Sequence, residues 1–280
     1  MRIDVKNVSY VYEDGSRSLN HVFLTVEKGE LVGLMGQTGS GKTTLLRLMA
    51  GLEKPTEGEI CIDGQNIYAR GMDQTALRKR IGVVFQYPEY QLFANTVRED
   101  VGYALKQFRM DRREERVQKA LERMGFSYDA IKDQSPFALS GGEKRRVAIA
   151  GALVTEPEFL IFDEPLAGLD PVGRKDFLKL LRELKAQGVT VLMISHCVDA
   201  VASCADRIVV LQRGEKAFDG APAQLFADAI LAERLHVGNT AAGRTAALLR
   251  KKGKLGDEVI YTPTQLVRAV AAAVRGGESG

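Results

Sequence analysis

The strongest chemical signal in the chain is the run Gly36-Gln37-Thr38-Gly39-Ser40-Gly41-Lys42-Thr43. It fits the pattern G-x-x-x-x-G-K-[ST]. Glycines let a backbone curl until successive N–H groups face one anion. A helix that starts at the end of such a loop adds the positive pole of its own dipole. Lys42 then reaches the β and γ phosphates of a nucleoside triphosphate, and the Thr43 hydroxyl is a candidate Mg²⁺ ligand. The expected ATP contacts are therefore Gly36, Gln37, Thr38, Gly39, Ser40, Gly41, Lys42, Thr43 and the next residue, Thr44.

Two acids complete the chemistry. Phe159-Leu160-Ile161-Phe162-Asp163-Glu164 reads as an apolar strand that ends in carboxylates. Ligands of parallel sheets bind at the carboxyl ends of strands. Asp163 is then placed to hold Mg²⁺ through its water shell, and Glu164 faces elsewhere and can polarise an attacking water. His196, in Ile194-Ser195-His196, ends another apolar run and is a candidate γ-phosphate contact. Gln86 ends the run Ile81–Phe85 in the same way and could sense Mg²⁺ or water.

A second anion-facing feature is Leu139-Ser140-Gly141-Gly142-Glu143. Ser140 and Glu143 have capping-box spacing for a helix over Lys144–Leu153. Gly141 and Gly142 bare the backbone at that helix start, and Lys144, Arg145 and Arg146 follow. One chain thus carries two phosphate-facing helix starts but a single phosphate loop. That arrangement suggests that the second start completes the site of another subunit.

The elements that must position these groups are legible as short apolar runs. Leu31–Met35, Ile81–Phe85, Phe159–Phe162, Val189–Ile194 and Ile208–Leu211 read as strands buried on both faces of a parallel sheet. Helical patterns alternate with them, over Gly41–Ala50 and Pro171–Gln187. The latter has Asp170 as N-cap, Pro171 at its first position and Gly188 just past its end. Arg2–Tyr12, Leu19–Glu27 and Gly58–Ile62 read as antiparallel strands. A helical stretch is expected from about Asn95 to Gly125. A last helix opens at Thr262-Pro263 with Leu266, Val267, Val270 and Val274 apolar, and Gly276–Gly280 reads as a frayed tail.

Composition bounds the rest. The 280 residues are 45% hydrophobic and 27% charged, enough for a sizeable core. A net charge of +3 does not point to nucleic acid as a partner. No apolar run approaches the roughly 20 residues of a membrane span, so a membrane role would act through a partner. Cys61, Cys197 and Cys204 form no CxxC pair, which fits a reducing compartment and no cysteine metal site.

Taken together, the motifs resemble those of the nucleotide-binding subunit of an ATP-binding cassette (ABC) transporter over about residues 1–220. GQTGSGKT resembles Walker A, FLIFDE Walker B and LSGGE the ABC signature. Gln86 matches the Q-loop glutamine, Ala167-Gly168-Leu169-Asp170 the D-loop and His196 the switch histidine. The resemblance implies an α/β fold: a P-loop NTPase core with a mostly parallel sheet, an antiparallel β subdomain and an α-helical signature subdomain at about 88–155. A small C-terminal extension would occupy residues 221–280. It also implies a head-to-tail dimer with ATP and Mg²⁺ between one subunit's Walker A and the other's signature residues Ser140, Gly141, Gly142 and Glu143. Glu164 becomes the general base, His196 the γ-phosphate sensor and Tyr12 the aromatic under adenine, with Tyr10 second. Glu143 departs from the usual Gln and brings an acid near the partner's phosphates.

The segment Gln86-Tyr87-Pro88-Glu89-Tyr90-Gln91-Leu92-Phe93, with Arg145-Arg146-Val147-Ala148-Ile149-Ala150-Gly151 after the signature, resembles the energy-coupling factor (ECF) ATPases of vitamin, cobalt and nickel systems, and the first segment looks closest to the second of the two ATPase types in the vitamin systems. That resemblance implies a second ABC ATPase subunit, a transmembrane coupling protein and a substrate-binding membrane subunit, at the cytoplasmic face of the cell membrane. A conventional importer or exporter subunit is the alternative, followed by a non-transport ABC ATPase. Homodimer and heterodimer both stay open, and the transported solute leaves no trace in this chain.

Overall fold

A computed structural model of the chain describes residues 1–277. The continuous apolar runs form strands because both of their faces find apolar partners. These are β3 (Leu31–Met35), β6 (Ile81–Val84), β7 (Phe159–Asp163), β8 (Thr190–Ile194) and β9 (Arg207–Gln212). They lie parallel in the order β9-β3-β8-β7-β6. Strand alternation splits the side chains between two cores. Leu160 and Phe162 of β7 enter one core with the helices Gly141–Leu153 and Pro171–Ala186. Phe159 and Ile161 enter the other, against the helix Lys42–Met49 and a second sheet.

The second sheet is antiparallel, as the N-terminal alternation implies. Its strands β1 (Ile3–Val11), β2 (Arg17–Val26), β4 (Glu57–Ile62) and β5 (Gln65–Asn66) run in the order β2-β1-β4-β5. Ile3, Val5, Leu19, Val22 and Ile60 line its buried side.

The structure departs from the sequence reading, or adds to it, at several places. β10 (Glu215–Gly220) adds an antiparallel edge to β9. The stretch from Asn95 to Gly125 is three helices, Val97–Val101, Tyr103–Gln107 and Arg113–Arg123. Arg109 and Arg112, each at φ 51°, take left-handed conformations that no helix continues through. The residues after Gly220 also form short helices, Pro222–Ala227, Ala229–Arg234 and Ala241–Lys251, before the last one, Pro263–Gly277. In that last helix Leu266 and Ala269 pack with Ala242, Ala246 and Ile260, while Val267, Val270 and Val274 are exposed. Gly276 and Gly277, expected in a frayed tail, close this helix; Glu278, Ser279 and Gly280 of that tail lie outside the described residues. Among the described residues, no helix is long and apolar enough to cross a membrane.

Candidate nucleotide site

Strand register decides which residues meet at the sheet edge. Leu34 pairs with Ile194, Ile194 with Asp163, and Phe162 with Val84. The residues that follow these pairs therefore share the carboxyl edge: Gly36, Gln86, Glu164 and Ser195-His196. Sequence-distant groups are brought together by parallel pairing alone.

The loop from Gly36 to Gly41 needs its glycines at two places above all. Gly36 has φ 138°, and a Cβ there would stand 2.2 Å from the Leu211 carbonyl oxygen. Gly41 has φ 100°, and a Cβ there would meet the Ser18 carbonyl oxygen at 2.6 Å. Helix Lys42–Met49 starts without a side-chain cap, so its first N–H groups are available to an anion. Lys42 Nζ donates to the Gly36 and Gln37 carbonyls at 2.7 and 2.8 Å. Burial pulls its pKa below the ordinary lysine value, while Glu164 and Asp163 oppose that shift. Ser40 Oγ is buried with no hydrogen-bond partner. Bared helix N–H groups, a buried ammonium and an orphaned hydroxyl are a donor set that fits phosphate oxygens.

Thr44 faces the antiparallel sheet. Its hydroxyl lies 2.7 Å from both Tyr12 Oη and Ser18 Oγ. Those bonds tie Tyr12 to the phosphate-loop helix, and the Tyr12 ring packs edge-on against Tyr10, centroids 5.0 Å apart.

Asp163 ends β7 and is buried. Burial raises its carboxyl above the ordinary range, against the pull of Lys42 and of the Thr43 hydroxyl. Glu164 follows in a left-handed conformation, φ 49°, an uncommon state for a residue with a Cβ. Its N–H donates to the Ile194 carbonyl at 2.9 Å. Its Oε2 accepts the His196 backbone N–H at 3.2 Å. Oε1 is buried without a hydrogen-bond partner, and His196 Nε2 stands 3.5 Å from it. Burial pushes this carboxyl up as well, partly offset by the His196 N–H. A carboxylate with raised pKa, one oxygen engaged and one free, can accept a proton from water. Gln86 lies just past β6 with an exposed side chain.

Ser140 and Glu143 form the expected capping box at the helix Gly141–Leu153. Ser140 N–H and Oγ–H donate to Glu143 Oε2 at 2.9 and 2.6 Å. Gly142 lines a cavity of about 750 Å³ with Gly168, Leu169 and Asp170. This helix start thus sits beside the loop after Glu164. Among the described residues no hydrogen bond or ion pair joins Ser140–Glu143 to the phosphate loop.

Sequence reasoning assigned Arg145 to a basic, anion-facing helix start and to the run that resembles the ECF ATPases, and gave it no buried role. The structure buries it, with its guanidinium on the Ala167, Pro165 and Glu164 carbonyls. Its spacing from Ile149 and Leu153, one helical face, was the available signal. Ser18 was missed too, and nothing local marks it.

Fold and site together define a P-loop ATPase of the ABC class. The ABC transporter family matches residues 19–167, and the chain belongs to that family. Within it the chain belongs with the ECF transporter ATP-binding proteins. It is 41% identical to the energy-coupling factor transporter ATP-binding protein EcfA2 of Clostridium perfringens, over 98% of this chain and 99% of that protein. It is 46% identical to the EcfA2 protein of Thermotoga maritima, over 79% and 83% of the two chains. Among solved structures, cbiO1 from Clostridium perfringens, part of the ABC transporter complex cbiONQ, superposes with a TM-score of 0.74 at 35% identity, covering 89% of this chain and 98% of that one. The dimeric ATP-binding cassette MJ0796 bound to ADP and Pi gives 0.69 at 31% identity, over 79% and 98%.

Proposed function

We propose that this chain binds and hydrolyses ATP to energise an ECF importer for vitamins or transition-metal ions, as a translocase subunit held peripherally at the cytoplasmic face of the cell membrane. The observation that carries the reading is the Glu164 carboxylate, with one buried unpartnered oxygen, beside Lys42, Asp163 and His196 at the sheet edge.

Each residue then has a task. The loop Gly36–Thr43 binds the phosphates, and Lys42 leaves its loop carbonyls for the β and γ oxygens. Thr43, Asp163 and Gln86 would hold Mg²⁺, which would supply charge neutralisation on the transferred phosphoryl group. Among the described residues, no three His, Cys, Asp or Glu side chains are grouped so that they could hold a metal ion by themselves. Phosphate oxygens and water would supply the remaining ligands of the ion. Tyr12 stacks on adenine. Glu164 takes the proton of the attacking water, and His196 contacts the γ phosphate. Ser140, Gly141, Gly142 and Glu143 act on the ATP of a second ABC ATPase subunit.

Residues 1–220 form the ATPase domain, with the helical subdomain at about 88–155, and residues 221–280 form an extension. Exposed Tyr87, Tyr90, Phe93 and Tyr103 supply the docking surface for a transmembrane coupling protein, which in turn serves a substrate-binding membrane subunit. Phe93 and Tyr103, packed edge-on at 4.8 Å, rim a groove of about 430 Å³.

Glu164→Gln tests the site. Turnover is expected to vanish while ATP still binds, measured by phosphate release and by titration with a fluorescent nucleotide. Normal hydrolysis by the variant removes Glu164 from the base role. Co-purification of the chain with an exporter membrane domain would overturn the importer assignment.

A further inference from the structure

The helix that begins at Gly141 carries a cation into the protein interior. Arg145 is only 5% exposed. Among the described residues it has no carboxylate within ion-pair distance. Its guanidinium donates to backbone instead: Nη1 to the Ala167 carbonyl at 2.6 Å, and Nη2 to the Pro165 and Glu164 carbonyls at 2.6 and 3.4 Å. Those carbonyls belong to Glu164 and the turn after it. Glu164 is the residue held at φ 49°, and such a conformation persists only where its surroundings over-determine it. Arg145 is one of the groups that do so.

The helix that carries Arg145 also meets the aromatic segment. The turn Pro88–Gln91 packs on the same helix. One carboxylate oxygen of Glu89, in that turn, is buried without a hydrogen-bond partner, and so is Arg145 Nε. Burial lowers the Arg145 pKa, and the Glu89 charge is the largest influence opposing that shift. Two unpartnered atoms of opposite charge therefore sit on elements packed against each other. Polar atoms in that condition have a strong drive to pair when the backbone permits.

We propose that Arg145 is a positioning residue for Glu164, and that Glu89 transmits the position of the turn Pro88–Gln91 to it. A shift of that turn brings the Glu89 carboxylate onto the guanidinium and changes its grip on the carbonyls of Glu164, Pro165 and Ala167. The aromatic surface and the hydrolytic acid are then linked through one buried side chain. The inference rests on the reading of Glu164 as general base.

The test uses the full chain, purified with the subunit that it assembles with. Arg145→Gln, Arg145→Lys, Glu89→Gln and the double variant Glu89→Gln/Arg145→Gln are compared for kcat, KM for ATP and thermal midpoint, with Glu164→Gln as reference. Arg145→Gln is expected to lower kcat about tenfold or more with KM changed by less than about twofold, because ground-state binding does not involve it. Arg145→Lys restores part of kcat. Glu89→Gln changes kcat about threefold in the parent and not at all beside Arg145→Gln, the non-additivity of a coupled pair. Full kcat in Arg145→Gln overturns the inference, as does a Glu89→Gln effect of equal size in both backgrounds. Should Arg145→Gln fail to fold, the same cycle is run with Arg145→Met, which also removes the charge and the donors, and is read in the same way. Normal hydrolysis by Glu164→Gln sinks the base assignment itself, an outcome distinct from either result at Arg145.

Discussion

At the scale of single residues, the phosphate loop separates two costs that a glycine can avoid. Gly36 and Gly39 both have positive φ, 138° and 79°. An added Cβ at Gly39 meets nothing within 4 Å, whereas at Gly36 it meets the Leu211 carbonyl oxygen at 2.2 Å. Gly39→Ala therefore costs about 1 kcal/mol of backbone strain. Gly36→Ala adds displacement of a backbone neighbour and is expected to cost at least about 2 kcal/mol more. Thermal unfolding of the two variants orders them, and nucleotide titration should show binding lost in Gly36→Ala. Similar midpoints would mean that the β9 backbone gives way freely. The motif spacing made this loop legible in the sequence, because each glycine answers a local backbone demand. Arg145 was less legible: its chemistry depends on three carbonyls about twenty positions away, and only its helical phase hinted at burial.

At the scale of elements, two capping boxes offer a comparison. Thr96 with Glu99 starts the helix Val97–Val101, and Ser140 with Glu143 starts the helix Gly141–Leu153. Thr96→Ala and Ser140→Ala each remove a cap and are expected to cost about 1 kcal/mol in urea unfolding. Only Ser140→Ala should also lose turnover, since only that helix start is read as facing a second subunit's nucleotide. Equal turnover in both variants would reduce the signature to a cap. The sequence announced the Ser140 box through its S-x-x-E spacing, and it announced the buried parallel strands through continuous apolar runs; the Thr96 box has the same spacing and went unread. It did not announce β10, whose residues Glu215–Gly220 are all exposed or half-buried. A polar edge strand has no burial pattern to read; its existence follows from the free edge that β9 offers. The breaks at Gly102 and around Arg109–Arg112 were hidden for a related reason. Helical propensity is high through this stretch, and packing of Val97, Leu105 and Val117 into one core decides where the chain must turn.

For the whole molecule, the question is what locks the antiparallel sheet to the parallel one beyond their shared core. Arg80, at the end of the helix Gln74–Arg80, binds Asp63 after β4 at 2.6 Å and Glu158 before β7 at 2.7 Å. One guanidinium thus spans both sheets. The hydrogen bond from Arg80 is the main cause that holds the Glu158 carboxyl below its ordinary value of 4.5. The sign follows from linkage: a carboxyl depressed in the folded state stabilises it above the unfolded pKa, and that contribution is lost as pH falls through the folded value. The groups are about half exposed, so screening keeps the pair within roughly 0.5–1 kcal/mol. Glu158→Gln is expected to lower stability by that amount at neutral pH. The gap between parent and variant should then close once the pH drops below 4.5, as Glu158 of the parent takes up its proton. Urea unfolding of both proteins across this range measures the gap directly. A gap that stays constant into acid would show that Glu158 acts by shape and not by charge.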